Sequence, residues 1–228
     1  MKREIINTAD GSTTIHLPEW NEHYHSIHGA IQEARHVFID MGFKKILESK
    51  KNEISILEIG FGTGLNALVT WQESQRFPVN INYTGVEAYP VEEKEVGALN
   101  FSSEIKEDQA REIFDLLHSL PWEKQNQLTP HFLLHKQKKF FQDITDREKY
   151  DLIYFDAFGA RVQPELWTEI IFIKMYNALL PGGTLVTYAA KGSVRRAMLE
   201  VGFKVEKLPG PPGKREMLRA TKEQAISC

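Results

Sequence analysis

The sequence predicts an α/β fold with a mostly parallel, seven-stranded, Rossmann-like sheet that ends in a β-hairpin. Short apolar runs recur between helix-like stretches from residue 55 onward, as they do when parallel strands are joined by crossover helices. A glycine-rich turn follows the first of these runs. The chain closes with two strand-like runs joined by a Gly/Pro-rich loop, which indicates a hairpin rather than another crossover.

The residues that precede the sheet predict an N-terminal extension. The segment REIINTADGSTTIHL alternates around an Asp10-Gly11 turn signal and predicts a β-hairpin, which a loop and a helix follow. We therefore expect residues 1–50 to form a hairpin and helix extension packed on a main globular domain of residues 51–228. Five parallel strands are expected in that domain, in ISILEIG, NINYTGVEA, HFLLHKQ, YDLIYFDAF and GTLVTYAA.

Composition restricts the class of protein. Hydrophobic residues make up 42% of the chain and charged residues 26%, as in an ordinary soluble protein, and no apolar run reaches the roughly 18 residues that a membrane helix needs. The start, MKREIINTADG, lacks the apolar core of a signal peptide. Cys228 is the only cysteine, so no disulfide framework or thiolate metal site is expected. These features predict a cytoplasmic protein without a membrane partner.

The net charge of −3 hides an asymmetry along the chain. Between residues 191 and 219, eight basic residues stand against three acidic ones, a local excess of five positive charges. The remainder of the chain then carries a net charge of eight negative units. A basic end on an acidic body can bind a polyanion, and it can equally be a solvated Lys/Arg surface.

The turn after the first strand indicates the ligand. Gly60, Gly62 and Gly64 have the spacing G-x-G-x-G, whereas the dinucleotide fingerprint needs a glycine where Leu65 stands. Glu58, at the end of the strand, would repel a pyrophosphate but suits a ligand that carries a cation. S-adenosylmethionine carries an ammonium and a sulfonium, and glycines would let its methionine arm approach the backbone. The loop therefore favours this methyl donor over NAD.

Three acidic residues follow later strands. Glu87 comes twenty-three residues after Gly64 and can accept hydrogen bonds from ribose hydroxyls, which fits any adenosine ligand. Asp143 follows the third strand, where it can accept the adenine amino group or simply cap a helix. Asp156 follows the fourth strand, at the sheet edge where α/β proteins bind ligands, and is the candidate reactive residue.

The histidines His23, His25 and His28 have a spacing that matches no standard metal motif, and no carboxylate or cysteine completes a ligand set. No metal is therefore predicted. A polar lid or a loop facing RNA fits these residues better, and the sequence leaves their role open.

Four segments resemble one family of methyltransferases. These are YHSIHGAIQEARHVFI, ILEIGFGTGLNAL, DLIYFDAFGARVQPELW and the stretch from GGTLVTYAAKGSVRRAM to PGKREML. They are similar to the enzymes that form 5-methylaminomethyl-2-thiouridine in tRNA, which occur alone (MnmD type) or as the N-terminal half of MnmC. The similarity spans most of residues 20–220, and DAF followed by PELW is not general among methyltransferases.

The resemblance implies a class I S-adenosylmethionine-dependent methyltransferase fold. It also implies methylation of the primary amine of 5-aminomethyl-(2-thio)uridine at the tRNA wobble position. Asp156 would lie at the reacting amine. The implied cofactor-binding residues are Glu33, Glu58, Gly60, Gly62, Gly64, Glu87 and Asp143, and the implied contacts to the anticodon stem-loop are Arg195, Arg196, Lys214 and Arg215.

Bifunctional members of that family continue into a flavin-dependent oxidase domain, which this sequence does not contain. On that expectation, separate enzymes supply the aminomethyl precursor. The main alternative is an N-methyltransferase for a small-molecule amine, with the same pocket and no RNA. Aminopropyl transferases share the fold but typically carry more glycine and aspartate in the first loop, so EIGFGTG argues against them. A non-catalytic module is a further alternative, and it would not need an acid at position 156.

Overall fold

The computed structural model describes residues 2–224, so Cys228 lies outside the described residues. An N-terminal sheet of three antiparallel strands comes first, with β1 at Glu4–Asn7, β2 at Thr13–Leu17 and β3 at Glu22–His23. The pairing of β1 with β2 confirms the predicted hairpin, because Asn7 stands opposite Thr13 across the turn that contains Asp10 and Gly11.

A continuous helical segment follows, made of α1 (Ala30–Ala34), a π-helix (Arg35–Phe43) and α2 (Lys44–Leu47). It lies directly on the main sheet. A Cβ placed on Gly42 would lie 2.9 Å from the Val186 side chain, and the Phe38 ring packs 5.0 Å from that of Tyr154. The extension therefore shares one hydrophobic core with the sheet. The predicted boundary at residue 50 stays a prediction.

The main sheet has the order β10-β11-β9-β8-β4-β5-β7-β6. Strands β9, β8, β4, β5 and β7 run parallel, whereas β6, β10 and β11 pair antiparallel. The strands are β4 (Glu53–Ile59), β5 (Asn80–Val86), β6 (Gln125–Thr129), β7 (Phe132–Gln137), β8 (Tyr150–Phe155), β9 (Leu179–Thr187), β10 (Lys204–Pro209) and β11 (Glu216–Thr221).

Helices cover the sheet. They are α3 (Leu65–Ser74), α4 (Glu93–Val96), α5 (Phe101–Ile105), α6 (Ala110–Ser119), α7 (Glu169–Ala178) and α8 (Gly192–Val201). Among residues 2–224, no helix is long and apolar enough to cross a membrane.

The predicted strand count of seven is one short. The eighth strand, β6, is an edge strand of sequence QNQLT that pairs antiparallel with β7. Because an edge strand bonds on one side only and four of these five residues are polar, it lacks the apolar run that marks the other strands. The predicted C-terminal hairpin is confirmed as β10 and β11.

The strand order reverses between β4 and β8. At this switch point the carboxyl ends of two neighbouring strands diverge, and open α/β sheets bind their ligands in the crevice that results. The backbone N–H of Asp156 donates to the Ile59 carbonyl at 2.9 Å, and that of Gly60 donates to Val86 at 3.0 Å. The glycine turn and Asp156 are thereby fixed side by side at one edge of the sheet.

Candidate cofactor and acceptor site

A cleft of about 1540 Å³ opens at the carboxyl edge of the sheet, over the switch point. Ligand pockets usually measure about 300–1,000 Å³, so this one has room for a nucleoside-sized cofactor and part of a second molecule. The N-terminal extension forms one wall, the glycine turn and the ends of β5 and β8 form the floor, and the β10–β11 loop closes one side.

The glycine turn brings bare backbone to the cleft. Gly60, Gly62 and Gly64 all have positive φ values, of 90°, 47° and 73°. A Cβ on Gly60 would lie 2.7 Å from the Asp156 carbonyl oxygen, and one on Gly62 would lie 3.2 Å from the Tyr24 ring. Larger residues would strain the turn and fill the space above it. Such a backbone cradle fits the arm of a cofactor that lies flat against the chain.

Glu58 does not line the cleft: it is fully buried beneath the glycine turn, with 0% exposure. Its Oε1 accepts a hydrogen bond from Asn66 Nδ2 at 2.9 Å, and its Oε2 accepts one from the Tyr83 hydroxyl at 2.9 Å. Burial raises the pKa of Glu58 well above its usual value, although both hydrogen bonds oppose the rise. Glu58 is thus placed to hold Asn66 and not to touch a ligand.

Asn66 links this buried acid to the predicted reactive one. The Asn66 side chain is 2% exposed, and its Nδ2 also donates to Asp156 Oδ2 at 2.8 Å. Among the described residues, this is the one side-chain hydrogen bond that Asp156 accepts, so Oδ1 is left for an acceptor. Asn66 lies in the first turn of α3, and sequence reasoning missed it.

The half-buried Asp156 lines the cleft floor. Burial raises the pKa of Asp156 to about 7, and the nearby Glu33 carboxylate adds to the rise, against the Asn66 hydrogen bond and the Lys214 ammonium. A carboxylate with a pKa near neutrality can both release and take up a proton under ordinary conditions, as a general base requires.

Glu87 supports the glycine turn from the end of β5. Its Oε2 accepts from the Gly62 N–H at 3.1 Å and its Oε1 from the Tyr89 N–H at 2.9 Å. Glu87 lines the cleft, and each oxygen keeps a lone pair for a ribose hydroxyl. Asp143 is exposed at the end of a 3₁₀ turn beside the cleft, where its neighbours Phe141 and Gln142 form the lining.

Glu33 and Lys214 meet in the cleft although they are far apart in sequence. The Lys214 ammonium forms an ion pair with Glu33 Oε2, while Glu33 Oε1 accepts from the Ser26 N–H at 3.0 Å. The same ammonium lies 3.9 Å from the centroid of the Tyr188 ring. Lys214, predicted as an RNA contact, has its charge against the cleft wall, and its contact to RNA stays a prediction.

The other predicted RNA contacts lie elsewhere. Arg196 and Arg215 are exposed, and Arg195 is half-buried, with its Nε atom unbonded within the described part of the chain. Three further basic residues of this region pair with acids of the same region or just beyond it. These pairs are Lys204–Glu223, Lys207–Glu216 and Arg219–Glu206.

The three histidines have separate environments. His23 stacks on His16 with ring centroids 4.6 Å apart. His25 Nε2 lies 2.6 Å from the hydroxyl of Thr63 in the glycine turn, and burial lowers the pKa of His25 to about 4. His28 packs on the backbone of Gly213, where a Cβ would come within 2.1 Å of its ring. His25 and His28 thus connect the extension to the floor and to the side of the cleft.

Comparisons with known proteins fit this geometry. A sequence profile of a family described as S-adenosyl-L-methionine-dependent methyltransferase matches residues 117–223. The Leptospira borgpetersenii protein named tRNA 5-methylaminomethyl-2-thiouridine biosynthesis bifunctional protein MnmC is 32% identical over 86% of this chain and 31% of its own length. The MnmC of Cupriavidus metallidurans is 28% identical over 94% of this chain and 33% of its own length.

One solved structure is similar throughout. The crystal structure of MNMC2 from Aquifex aeolicus has a TM-score of 0.79 and 26% identity, and the similarity covers 98% of this chain and 71% of that one. The chain belongs to the MnmC/MnmD methyltransferase-domain family. The predicted family, the class I fold and S-adenosyl-L-methionine as cofactor are thereby confirmed. The chain spans about a third of the length of the MnmC relatives.

A more distant structure shares the fold alone. Spermidine synthase from Thermotoga maritima has a TM-score of 0.57 and 13% identity over 99% of this chain.

Proposed function

We propose that the protein methylates the primary amine of 5-aminomethyl-(2-thio)uridine at the tRNA wobble position, giving 5-methylaminomethyl-(2-thio)uridine. The central observation is Asp156, which lines the cleft, is held by Asn66 and has a pKa of about 7. The MnmC relatives are named for the biosynthesis of 5-methylaminomethyl-2-thiouridine in tRNA, which supports this acceptor.

Several residues of this chain suit the cofactor. The backbone at Gly60, Gly62 and Gly64 would lie along the methionine arm, Glu87 would accept from the ribose hydroxyls, and Asp143 would reach the adenine amino group. Glu58 would act from behind the turn by fixing Asn66, since both of its oxygens are already bonded. When bound, S-adenosylmethionine supplies an electrophilic methyl group on a sulfonium.

The protein's own contribution is to align an amine and to remove its proton. An amine attacks only as the neutral base, and at pH 7 a group with a pKa like that of lysine, about 10.4, is almost wholly protonated. The Asp156 carboxylate would accept hydrogen bonds from the incoming ammonium, orient the nitrogen and take up its proton. The partial burial of Asp156 in the cleft floor lowers the local dielectric constant and so strengthens these interactions.

RNA binding is proposed for the outer surface. Arg196 and Arg215 are exposed in the basic region and suit contacts to phosphates of the anticodon stem-loop. The half-buried Arg195 precedes Arg196 in α8. We propose that other enzymes supply the aminomethyl precursor and that the reaction takes place in the cytoplasm.

The direct test is to incubate the purified protein with S-adenosylmethionine and tRNA that carries 5-aminomethyluridine, with and without the 2-thio group. Nucleoside mass spectrometry should show the gain of one methyl group on the wobble base. Asp156→Asn should keep cofactor binding and lose about 10²–10⁴ in rate. Methylation of a free small-molecule amine with none on tRNA would contradict the proposal. Near-normal turnover by Asp156→Asn would show that Asp156 does not take part in the reaction.

A further inference from the structure

The charge of Lys214 is turned into the cleft. Its side chain is 34% exposed, and its ammonium contacts the Glu33 carboxylate and the face of the Tyr188 ring. Glu33 itself is 7% exposed and is fixed through its second oxygen by the Ser26 N–H. The Lys214 ammonium is thus held by two partners in the wall of the cleft.

This end of the cleft contains two carboxylates and one ammonium. All three line the same cleft, and the Tyr188 ring under the Lys214 ammonium donates through its hydroxyl to the carbonyl of Ala157, the residue after Asp156, at 2.8 Å. In keeping with this placement, the Glu33 carboxylate raises the pKa of Asp156 and the Lys214 ammonium lowers it. Without Lys214, two like charges would share a poorly hydrated space, and one of them would take up a proton. The pairing of Lys214 with Glu33 relieves that repulsion.

We propose that Lys214 is a positioning residue that neutralises Glu33 and so keeps Asp156 ionised for the acceptor amine. The inference rests on the proposed function, in which Asp156 takes the proton. It assigns to Lys214 a part in the acid–base chemistry of the cleft.

Removing this ammonium should move the pH dependence of the reaction rate to higher pH for two reasons, whose effects add. The carboxyl group of Asp156 would hold its proton to higher pH, and the acceptor ammonium would lose its proton less readily. Charges several ångströms apart in a partly buried site interact strongly enough to move such an equilibrium by about one pH unit. Removing the Glu33 charge should shift the reaction in the opposite direction.

Other charged and titratable groups around the pair do not account for such shifts. Burial holds the pKa of His25 near 4 and that of Tyr188 well above its usual value, so neither changes charge between pH 6 and 9. Glu22 is paired with Arg161 at 2.8 Å. Three further groups are common to all the variants proposed below: Glu58 behind Asn66, His28 on Gly213, and the exposed Arg215.

The test is the pH dependence of kcat at saturating tRNA and cofactor for Lys214→Met, Lys214→Arg and Glu33→Gln. Saturation removes any effect on RNA affinity. Lys214→Met should move the acid limb of the profile up by about one pH unit, with the rate recovering at high pH. Glu33→Gln should move it down, and Lys214→Arg, which keeps the charge, should stay near the wild type. Thermal unfolding checks that each variant is folded.

A second measurement does not depend on catalysis. Carbon-13 NMR of labelled aspartate, assigned with Asp156→Asn, gives the titration of Asp156 directly, and Lys214→Met and Glu33→Gln should shift it in opposite directions. A titration that neither variant moves would overturn the inference, as would a kcat profile lowered by one factor at every pH. If the wild type methylates no tRNA while the titration shifts as expected, the proposed function fails and the charge coupling stands.

Discussion

Glu58→Gln separates two roles for the acid at the end of β4. The sequence suggests a carboxylate that attracts the cationic cofactor, whereas the structure shows a fully buried group bonded to Asn66 and Tyr83. Glutamine has the same shape but no charge. Its carbonyl oxygen can still accept from Asn66, and its amide can donate to the Tyr83 hydroxyl.

The two roles predict different magnitudes. A charge-assisted hydrogen bond to the cofactor ammonium would contribute about 1.5–3 kcal/mol, so its loss would weaken cofactor binding roughly 10- to 150-fold. Because Glu58 lies behind the turn with both oxygens occupied, we expect Glu58→Gln to change the Kd for the cofactor less than about threefold.

Stability should respond to this substitution in a pH-dependent way. The pKa of Glu58 is raised in the folded protein, so the folded state keeps a proton that the unfolded chain releases above about pH 4.3. The wild type therefore loses stability as pH rises from that value toward the folded pKa, by about 1.4 kcal/mol for each pH unit. Glutamine has no such loss. Relative to the wild type, the variant should gain stability from pH 5 to pH 8.

Calorimetric titration with S-adenosylhomocysteine gives the Kd, and urea unfolding at pH 5 and pH 8 gives the free energies. Asn66→Ala is the matched variant: it removes the amide that Glu58 holds, and we expect it to lower kcat at pH 7 because Asp156 loses its hydrogen bond. A tenfold or greater loss of cofactor affinity in Glu58→Gln would refute the positional role. An unchanged stability difference between pH 5 and pH 8 would contradict the raised pKa.

Two further predictions concern the cradle and the basic surface. Gly62→Ala should reduce the free energy of unfolding by about 1–3 kcal/mol, since φ is +47° and the new methyl group would meet the Tyr24 ring. It should also weaken cofactor binding at least tenfold. Urea unfolding measures the first effect and calorimetry the second. Arg196→Ala with Arg215→Ala should weaken tRNA binding and reduce the slope of log affinity against log salt by about 1.5–2, with kcat at saturating tRNA unchanged. An unaltered slope would show that neither arginine contacts a phosphate of the tRNA.

The sequence predicted the place of a site residue when that residue directly follows a parallel strand. The apolar runs located the five parallel strands, and the residue after each run located Gly60, Glu87 and Asp156 at a single edge of the sheet. Asn66 could not be recognised in this way. It sits in a helix whose residues are all buried, and its role depends on Glu58 and Asp156, eight and ninety residues away in the sequence.

The position of the Lys214 charge also could not be predicted from the sequence. A count of basic residues between 191 and 219 groups Lys214 with the surface cations, because a count does not show which way a side chain points. The β10–β11 loop turns this ammonium toward Glu33 of the extension. Only a contact between the two ends of the chain separates it from Arg215, its exposed neighbour.

On the proposed function, the contacts between the N-terminal extension and the β10–β11 hairpin are the part of the fold that bears on the acceptor. The glycine turn and the strand ends belong to the sheet, and a sheet of this kind is also present in a spermidine synthase at 13% identity. Glu33 and Lys214 meet in the cleft wall, where the extension contacts the β10–β11 hairpin. The same two segments also meet where His28 packs on Gly213 and where His36 lies 2.8 Å from the Pro209 carbonyl. Changes in these segments can alter the charge around Asp156 while the cofactor cradle stays intact. On the proposed function, a substitution at Lys214 should therefore change the pH dependence of the reaction while the glycine turn that would hold the cofactor stays unaltered.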